Sequence, residues 1–357
     1  MSLSTPENAA PPAPPTPAAA QPWGRRFSFF GVNPGVFAGF IVLVIALLVT
    51  TPALYHVDAW QNLAQQVSLN TIIAVGMTFV IITAGIDLSV GSILGFAGTL
   101  TAMTLMAPSL VGRFGDATMV LAVLAGFFSG ALVGVLNGAA IAFLRMQPFI
   151  VTLATMWAVR GIAEVLTDGS PIGTVSSDAP LAAARNALLQ NKFTALGMGY
   201  LGPIPVSALV ALVVVLLGHF LLTRTVFGRH VYALGGNAEA ARLSGVNVER
   251  VKLLVFTLSG ALSGIAAILL MSKLVSGQPT AGQGWELYAI AAVVVGGTSL
   301  FGGSGSVIGS VLGALIIGVI NMGLDLHGIS AFWQQIVTGA IILVAVLLDE
   351  VMRRRSG

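Results

Sequence analysis

KLLVFTLSGALSGIAAILLMS, residues Lys252 to Ser272, carries a charge at its first position and none after it. Wound as a helix at 1.5 Å per residue, a run of this length matches the roughly 30 Å of hydrocarbon in a bilayer. Val36 to Leu54 (VFAGFIVLVIALLVTTPAL) has the same character. Of the 357 residues, 56% are hydrophobic and 8% charged, whereas a soluble domain is about 25% charged. Such an inventory cannot clothe a water-facing surface. The chain is therefore expected to be an all-α polytopic integral membrane protein with lipid as its solvent.

Outward from that stretch, spans are predicted over 36–54, 67–84, 90–107, 118–144, 148–166, 205–222, 252–272, 287–302, 305–323 and 333–348, ten in all. The 43 glycines suit membrane helices, which pack closely through small residues. In the fourth span Gly126, Gly130, Gly134 and Gly138 recur every four residues and leave one bare face. With the N-terminus inside, eleven of the sixteen basic residues fall on the cytoplasmic side: Arg25, Arg26, Arg145, Arg224, Arg229, Arg242, Arg250, Lys252 and Arg353 to Arg355. Positive residues accumulate on that side, so both termini are expected in the cytoplasm. The opposite side collects Arg113, Arg160, Arg185, Lys192 and Lys273, together with Asp58, Asp116, Asp168, Asp178, Glu286 and Asp325.

The net charge of +3 comes from bases placed between apolar runs, where orientation signals belong. Membrane lipid is the expected partner and nucleic acid is not. The absence of cysteine excludes disulfides, thiolate metal sites and cysteine nucleophiles. Residues 1–30 form a Pro/Ala-rich tail (PPAPPTPAAAQP at 11–22) too poor in bulky apolar side chains to bury a core, and are expected to be disordered. Arg25-Arg26 reads as a basic anchor, because no small-residue cleavage site closes the span that follows. Residues 31–350 form one transmembrane domain with a polar loop at 223–251, and 351–357 are a basic cytoplasmic tail. A second long loop, 167–204, is expected outside.

Three polar or glycine-rich stretches stand out. In the inner loop, GRHVYALGGNAEAARLSGVNVERVK (Gly228 to Lys252), Asn237 is a good N-cap and Glu239 sits in the first turn. Gly245 can close the helix in a left-handed conformation. A helix of about two turns is predicted there, serving either as a solvated connector or as a docking element. In TAGIDLSVGSILG (Thr83 to Gly95), Asp87, Ser89 and Ser92 lie between two apolar runs. Asp87 either caps the next helix or is functional, as ionisable groups at membrane depth usually are. The third stretch is AAVVVGGTSLFGGSGSVIGSVLG (Ala291 to Gly313). Its SVIGSVLG echoes SVGSILG at 89–95, by internal repetition or by chance.

Glu239-Ala240-Ala241 followed by Gly245 resembles the EAA-x3-G pattern of permeases of ATP-binding-cassette importers. GIDLSVGS, with Gly85, Asp87, Leu88, Ser89, Gly91 and Ser92, resembles the signature of the ribose, xylose and arabinose permease family. The third stretch is similar to that family's C-terminal glycine-rich segment, and the resemblance runs from about residue 35 to 350. It implies a subunit that moves a monosaccharide such as ribose from periplasm to cytoplasm by alternating access across a bacterial inner membrane. Asn237, Glu239, Ala240, Ala241, Arg242, Leu243, Ser244 and Gly245 would then be a coupling helix seated on an ATPase subunit. The implied partners are that ATPase, a periplasmic sugar-binding protein and a second permease subunit, identical or paralogous. ATP and Mg would be used by the ATPase, with no cofactor on this chain.

Within the spans, Asn70, Thr78, Asn137, Thr152, Thr155 and Asn321 either line a sugar path or hydrogen-bond neighbouring helices. Arg160 and Glu164, four apart near the outer end of their span, are expected to pair and snorkel outward. No catalytic or metal residues are expected, since HExxH, GxSxG and GxxxxGK[ST] are all missing; ATP hydrolysis must come from another chain. An ion-coupled secondary transporter is the alternative, but such carriers place carboxylates or histidines near the midplane, where this chain has almost none. A passive channel would need a filter motif, which is missing.

Overall fold

The structure, a computed structural model, describes residues 34–173 and 192–356. The tail expected over 1–30 and the middle of the outer loop lie outside the described residues. In chain order the elements are α1 (Pro34–Thr50), a 3₁₀ turn (Pro52–Tyr55), α2 (Val57–Ile82), α3 (Val90–Met106), α4 (Pro108–Phe114), α5 (Ala117–Phe143) and α6 (Pro148–Thr167). There follow β1 (Ile172–Gly173), α7 (Thr194–Met198), β2 (Tyr200–Leu201), β3 (Ile204–Pro205), α8 (Val206–Arg224), α9 (Val226–Gly236), α10 (Ala238–Leu243) and α11 (Val248–Leu274). The chain ends with β4 (Ser276–Gly277), α12 (Trp285–Val295), α13 (Val307–Leu326) and α14 (Ala331–Ser356).

A helix occupies each of the ten apolar runs. Among the described residues six of them, α2, α5, α6, α8, α11 and α13, are long and apolar enough to cross a membrane, and α3 with α4 makes a seventh broken by a 60° bend. The helices α1, α12 and the apolar part of α14 are shorter. The protein is thus a nearly all-helical, multi-pass membrane protein.

Helix α2 is the centre of the bundle, with 89% of its apolar window buried, and α11 and α13 follow at 67%. The outer helices α5, α6 and α8 bury a third or less and turn Phe128, Leu132, Val165 and Leu216 outward, as lipid permits. The glycine row of α5 faces α11. A β-carbon at Gly130 would stand 2.5 Å from Gly260 O and 3.0 Å from the Gly264 Cα, and one at Gly264 would stand 2.7 Å from Gly126 O. Two backbones meet here with nothing between them, which bare faces on both helices allow.

The connection between α11 and α12 differs from the expected outer loop. After β4 pairs with β1 (Ile172 opposite Gly277), the chain descends along α3. A β-carbon at Gly277 would meet Gly98 O at 3.1 Å, and one at Gly95 would meet Pro279 O at 2.6 Å and Ala281 O at 3.0 Å. Gly91 lies against Gly282 and the Glu286 carboxylate. Passing from Ala102 to Gly91 the chain covers about 16 Å of α3, and the 11 residues of α12 add about as much again. Of the span expected over 287–302, the residues through Val295 are helical in α12, and the chain then turns at Gly296 and Gly297. Gly277, Pro279, Gly282 and Gly284 keep the turn-rich segment before α12 out of a helix.

Candidate functional site

Three local structures, one from each singled-out stretch, come together on the polar-loop side of the bundle. In α10, Asn237 Oδ1 accepts the backbone N–H groups of Glu239 and Ala240, each at 3.0 Å. Glu239 lies in the first turn and Arg242 in the last, complementing the helix dipole. Gly245 follows at φ +85°, a conformation that a side chain would strain, and lets Val246 N–H return to Ala241 O at 3.0 Å. Ala241 is buried, whereas Leu243 is 84% exposed and Glu239, Ala240, Arg242, Ser244 and Gly245 are exposed too. An ion pair from Arg242 to Glu249 ties this helix to the first turn of α11.

Between α2 and α3 the chain turns back into the bundle. Asp87 is fully buried; its Oδ1 accepts Ser89 N–H at 3.0 Å and the Ser89 hydroxyl at 2.6 Å, while Oδ2 accepts the Ser259 hydroxyl of α11 at 2.8 Å. Ser259 also lies against Gly76 of α2, so Asp87 sits about 9 Å, six helical residues, above the end of that helix. Asn137 of α5 donates to the Ser89 hydroxyl at 2.9 Å, and Thr155 of α6 donates to Asn137 Oδ1 at 2.7 Å. One hydrogen-bonded chain thus links α6, α5, the α2–α3 break and α11. Asp87 caps the turn before α3 and also clamps it to a distant helix.

The third junction joins the glycine-rich stretch to both others. Gly303 N–H bonds Ile82 O at the end of α2 at 2.9 Å, and the Tyr232 hydroxyl of α9 bonds Gly305 O at 2.7 Å. Gly302 and Gly303 pack on Ala84, Gly235 and Gly236. Ser306 caps α13, its hydroxyl accepting Gly309 N–H at 2.9 Å; the echoing Ser89 stands at the same position before α3 without such a bond.

The remaining polar residues divide. Thr78 bonds Ala74 O at 2.6 Å and the Ser310 hydroxyl at 2.7 Å, joining α2 to α13, and Thr152 bonds Ile86 O at 3.1 Å. Asn137, Thr155, Thr78 and Thr152 are thus occupied in holding helices together. Asn70 is half-buried on α2, away from that network, and Asn321 Oδ1 is buried without a hydrogen-bond partner. Arg160 does not pair with Glu164; its guanidinium turns inward and donates to Pro279 O at 2.5 Å and Ala281 O at 2.7 Å. The unwound carbonyls of the descending segment need a donor, and Arg160 supplies it. Ser259, Tyr232 and Arg160 in this role escaped the sequence reading, the only signal for Ser259 being a hydroxyl inside an apolar run.

The multi-pass bundle thus presents, on its polar-loop side, a capped and exposed helix braced on a central span. The chain matches over residues 60–346 the family described as "Branched-chain amino acid transport system / permease component". It is 45% identical to the "Ribose import permease protein RbsC" of Haemophilus influenzae over 88% of this chain and 91% of that one. To the protein of the same name from Bacillus subtilis it is 44% identical, over 91% and 95%. Identity to the "Xylose transport system permease protein XylH" of Escherichia coli is 36%, over 90% and 92%. No solved structure matches it. The chain belongs to the permease family of ATP-binding-cassette importers that includes these sugar permeases, as a multi-pass protein of the bacterial inner membrane.

Proposed function

We propose that this chain moves a monosaccharide, with ribose the first candidate, from periplasm to cytoplasm as the permease subunit of an ATP-driven importer. The observation that carries the mechanism is the join between α10 and Asp87. Helix α10 is exposed on its outer face, fixed by Ala241, Val246 and the Arg242–Glu249 pair to the start of α11. Eleven residues along α11, Ser259 holds the Asp87 carboxylate. A push on α10 from an ATPase subunit would be carried by α11 to the α2–α3 break, biasing the inward- against the outward-facing state. Asn237 to Gly245 are the coupling residues in this reading, and Gly85 to Ser92 the gate region.

All ten apolar helices cross the membrane in this reading, α12 completing its crossing with the turn-rich segment before it, and both termini are cytoplasmic, as the charge asymmetry supports. Residues 31–350 act as one permease domain. A second permease subunit, a periplasmic binding protein and the ATPase complete the assembly; ATP and Mg stay with the ATPase. The names of relatives matched along nearly the whole chain support a sugar over an amino acid.

The test is uptake of radiolabelled D-ribose, D-xylose, L-arabinose and D-galactose into proteoliposomes, with and without the ATPase, binding protein and internal ATP. Uptake in the complete system alone is the expected result and names the sugar. Uptake by this chain by itself under an ion gradient would overturn the proposal in favour of a secondary carrier. Glu239→Ala and Gly245→Val should weaken ATPase assembly or leave hydrolysis running without uptake; wild-type uptake in both would count against the coupling role.

A further inference from the structure

The descending segment between α11 and α12 sets a problem of solvation. It follows α3 from the level of Ala102 to that of Gly91, within the body of that helix. Thr280 and Gln283 are nevertheless exposed, and Gln278 and Glu286 half-exposed, on the outside of the chain. The Arg160 guanidinium stands at the same level, bonded to Pro279 O and Ala281 O. Lipid cannot satisfy an irregular backbone or charged side chains at such depth; non-helical backbone occurs there only when covered by protein or lining water. In transporters, interrupted spans of this sort supply substrate sites. One turn before Arg160 on α6, Trp157 is 71% exposed, and residues three apart share a helix face.

We propose that this segment, with Arg160 and Glu286, is one wall of a water-filled path and binds the polyhydroxylated solute. The site rests on the sugar-permease reading given above and adds its location. A hydroxyl, two amides and a carboxylate set donors and acceptors along one strip, which suits a ring of hydroxyl groups, and an indole nearby offers a face for the sugar's apolar side. Arg160 is a positioning residue, holding the strip on α3 rather than meeting the sugar.

The chain has no cysteine of its own, so introduced ones report singly. Thr280→Cys and Gln283→Cys are treated in membranes, in the complete transporter, with a charged, water-soluble methanethiosulfonate. Leu132→Cys on the outward face of α5, 59% exposed, is the lipid-facing comparison. The two site cysteines should react at least about tenfold faster than Leu132→Cys, because apolar surroundings suppress the thiolate by about that factor per unit of pKa. Excess D-ribose or D-xylose should slow at least one of them. Rates no faster than Leu132→Cys, as when a second subunit covers the strip dry, would overturn the proposal. So would fast rates unaffected by every sugar that the unmodified transporter takes up. Wild-type uptake measured alongside separates the two failures: no ATP-driven sugar uptake sinks the permease reading, whereas uptake with unreactive cysteines sinks the site alone.

Discussion

Three donors converge on the Asp87 carboxylate, two from Ser89 and one from Ser259, and a shorter side chain cannot serve them. Asp87→Ala strands the buried Ser89 N–H and two hydroxyls, each at a cost of about 1–3 kcal/mol. Asp87→Asn keeps one acceptor oxygen, and a rotated Ser259 hydroxyl can accept from its amide. Thermal unfolding in detergent should therefore rank wild type above Asn and Asn above Ala; equal midpoints for Ala and wild type would remove Asp87 as a clamp. At Arg160 the relevant property is shape. One guanidinium nitrogen spans two carbonyls through a planar, pre-organised fork, whereas a lysine ammonium is a flexible point donor. Arg160→Lys should lower uptake while the complex still assembles, as read by co-purification of the ATPase.

Helix packing sets the next scale. The α5–α11 contact is backbone on backbone, so Gly130→Val has no cavity to enter and should separate the helices at about 1–3 kcal/mol or more. Gly161, with open space where a side chain would go, is the matched control: Gly161→Ala should leave the yield and melting of the purified protein unchanged. For α10, Asn237→Ala removes the acceptor for two N–H groups and costs that helix roughly 0.5–2 kcal/mol. Because α10 is solvent-exposed, the loss should appear in uptake and hardly in the melting temperature. A large drop in melting with normal uptake would make α10 a stabilising connector.

The whole molecule is asymmetric in charge and burial. The polar loop, the glycine junction and the clustered basic residues lie toward one membrane face. Alkaline phosphatase, active only outside the cytoplasm, should be inactive when fused after Ser356 and active when fused within the 167–204 loop. Activity at the C-terminus would reverse the topology and with it the face on which α10 meets an ATPase.

Membrane residence, the ten helical runs and the α10 cap were legible in the sequence because each follows from local composition: an apolar run must hide its backbone in a helix, and Asn, Glu and Gly at fixed offsets satisfy a helix end. The bare face of α5 was legible too, though its partner was not. What only the tertiary structure decided are the pairings across distance. Ser259 lies 172 residues from Asp87 and Arg160 lies 119 from Pro279, and no periodicity encodes such a meeting. The helix expected at 287–302 stops at Val295, where Gly296 and Gly297 turn the chain, and the segment before it was not legible as part of the same descent. Hydropathy measures how apolar a stretch is, whereas the choice between helix and the successive turns at Ser276 to Gly284 depends on the glycine groove of α3 and the guanidinium that receives it.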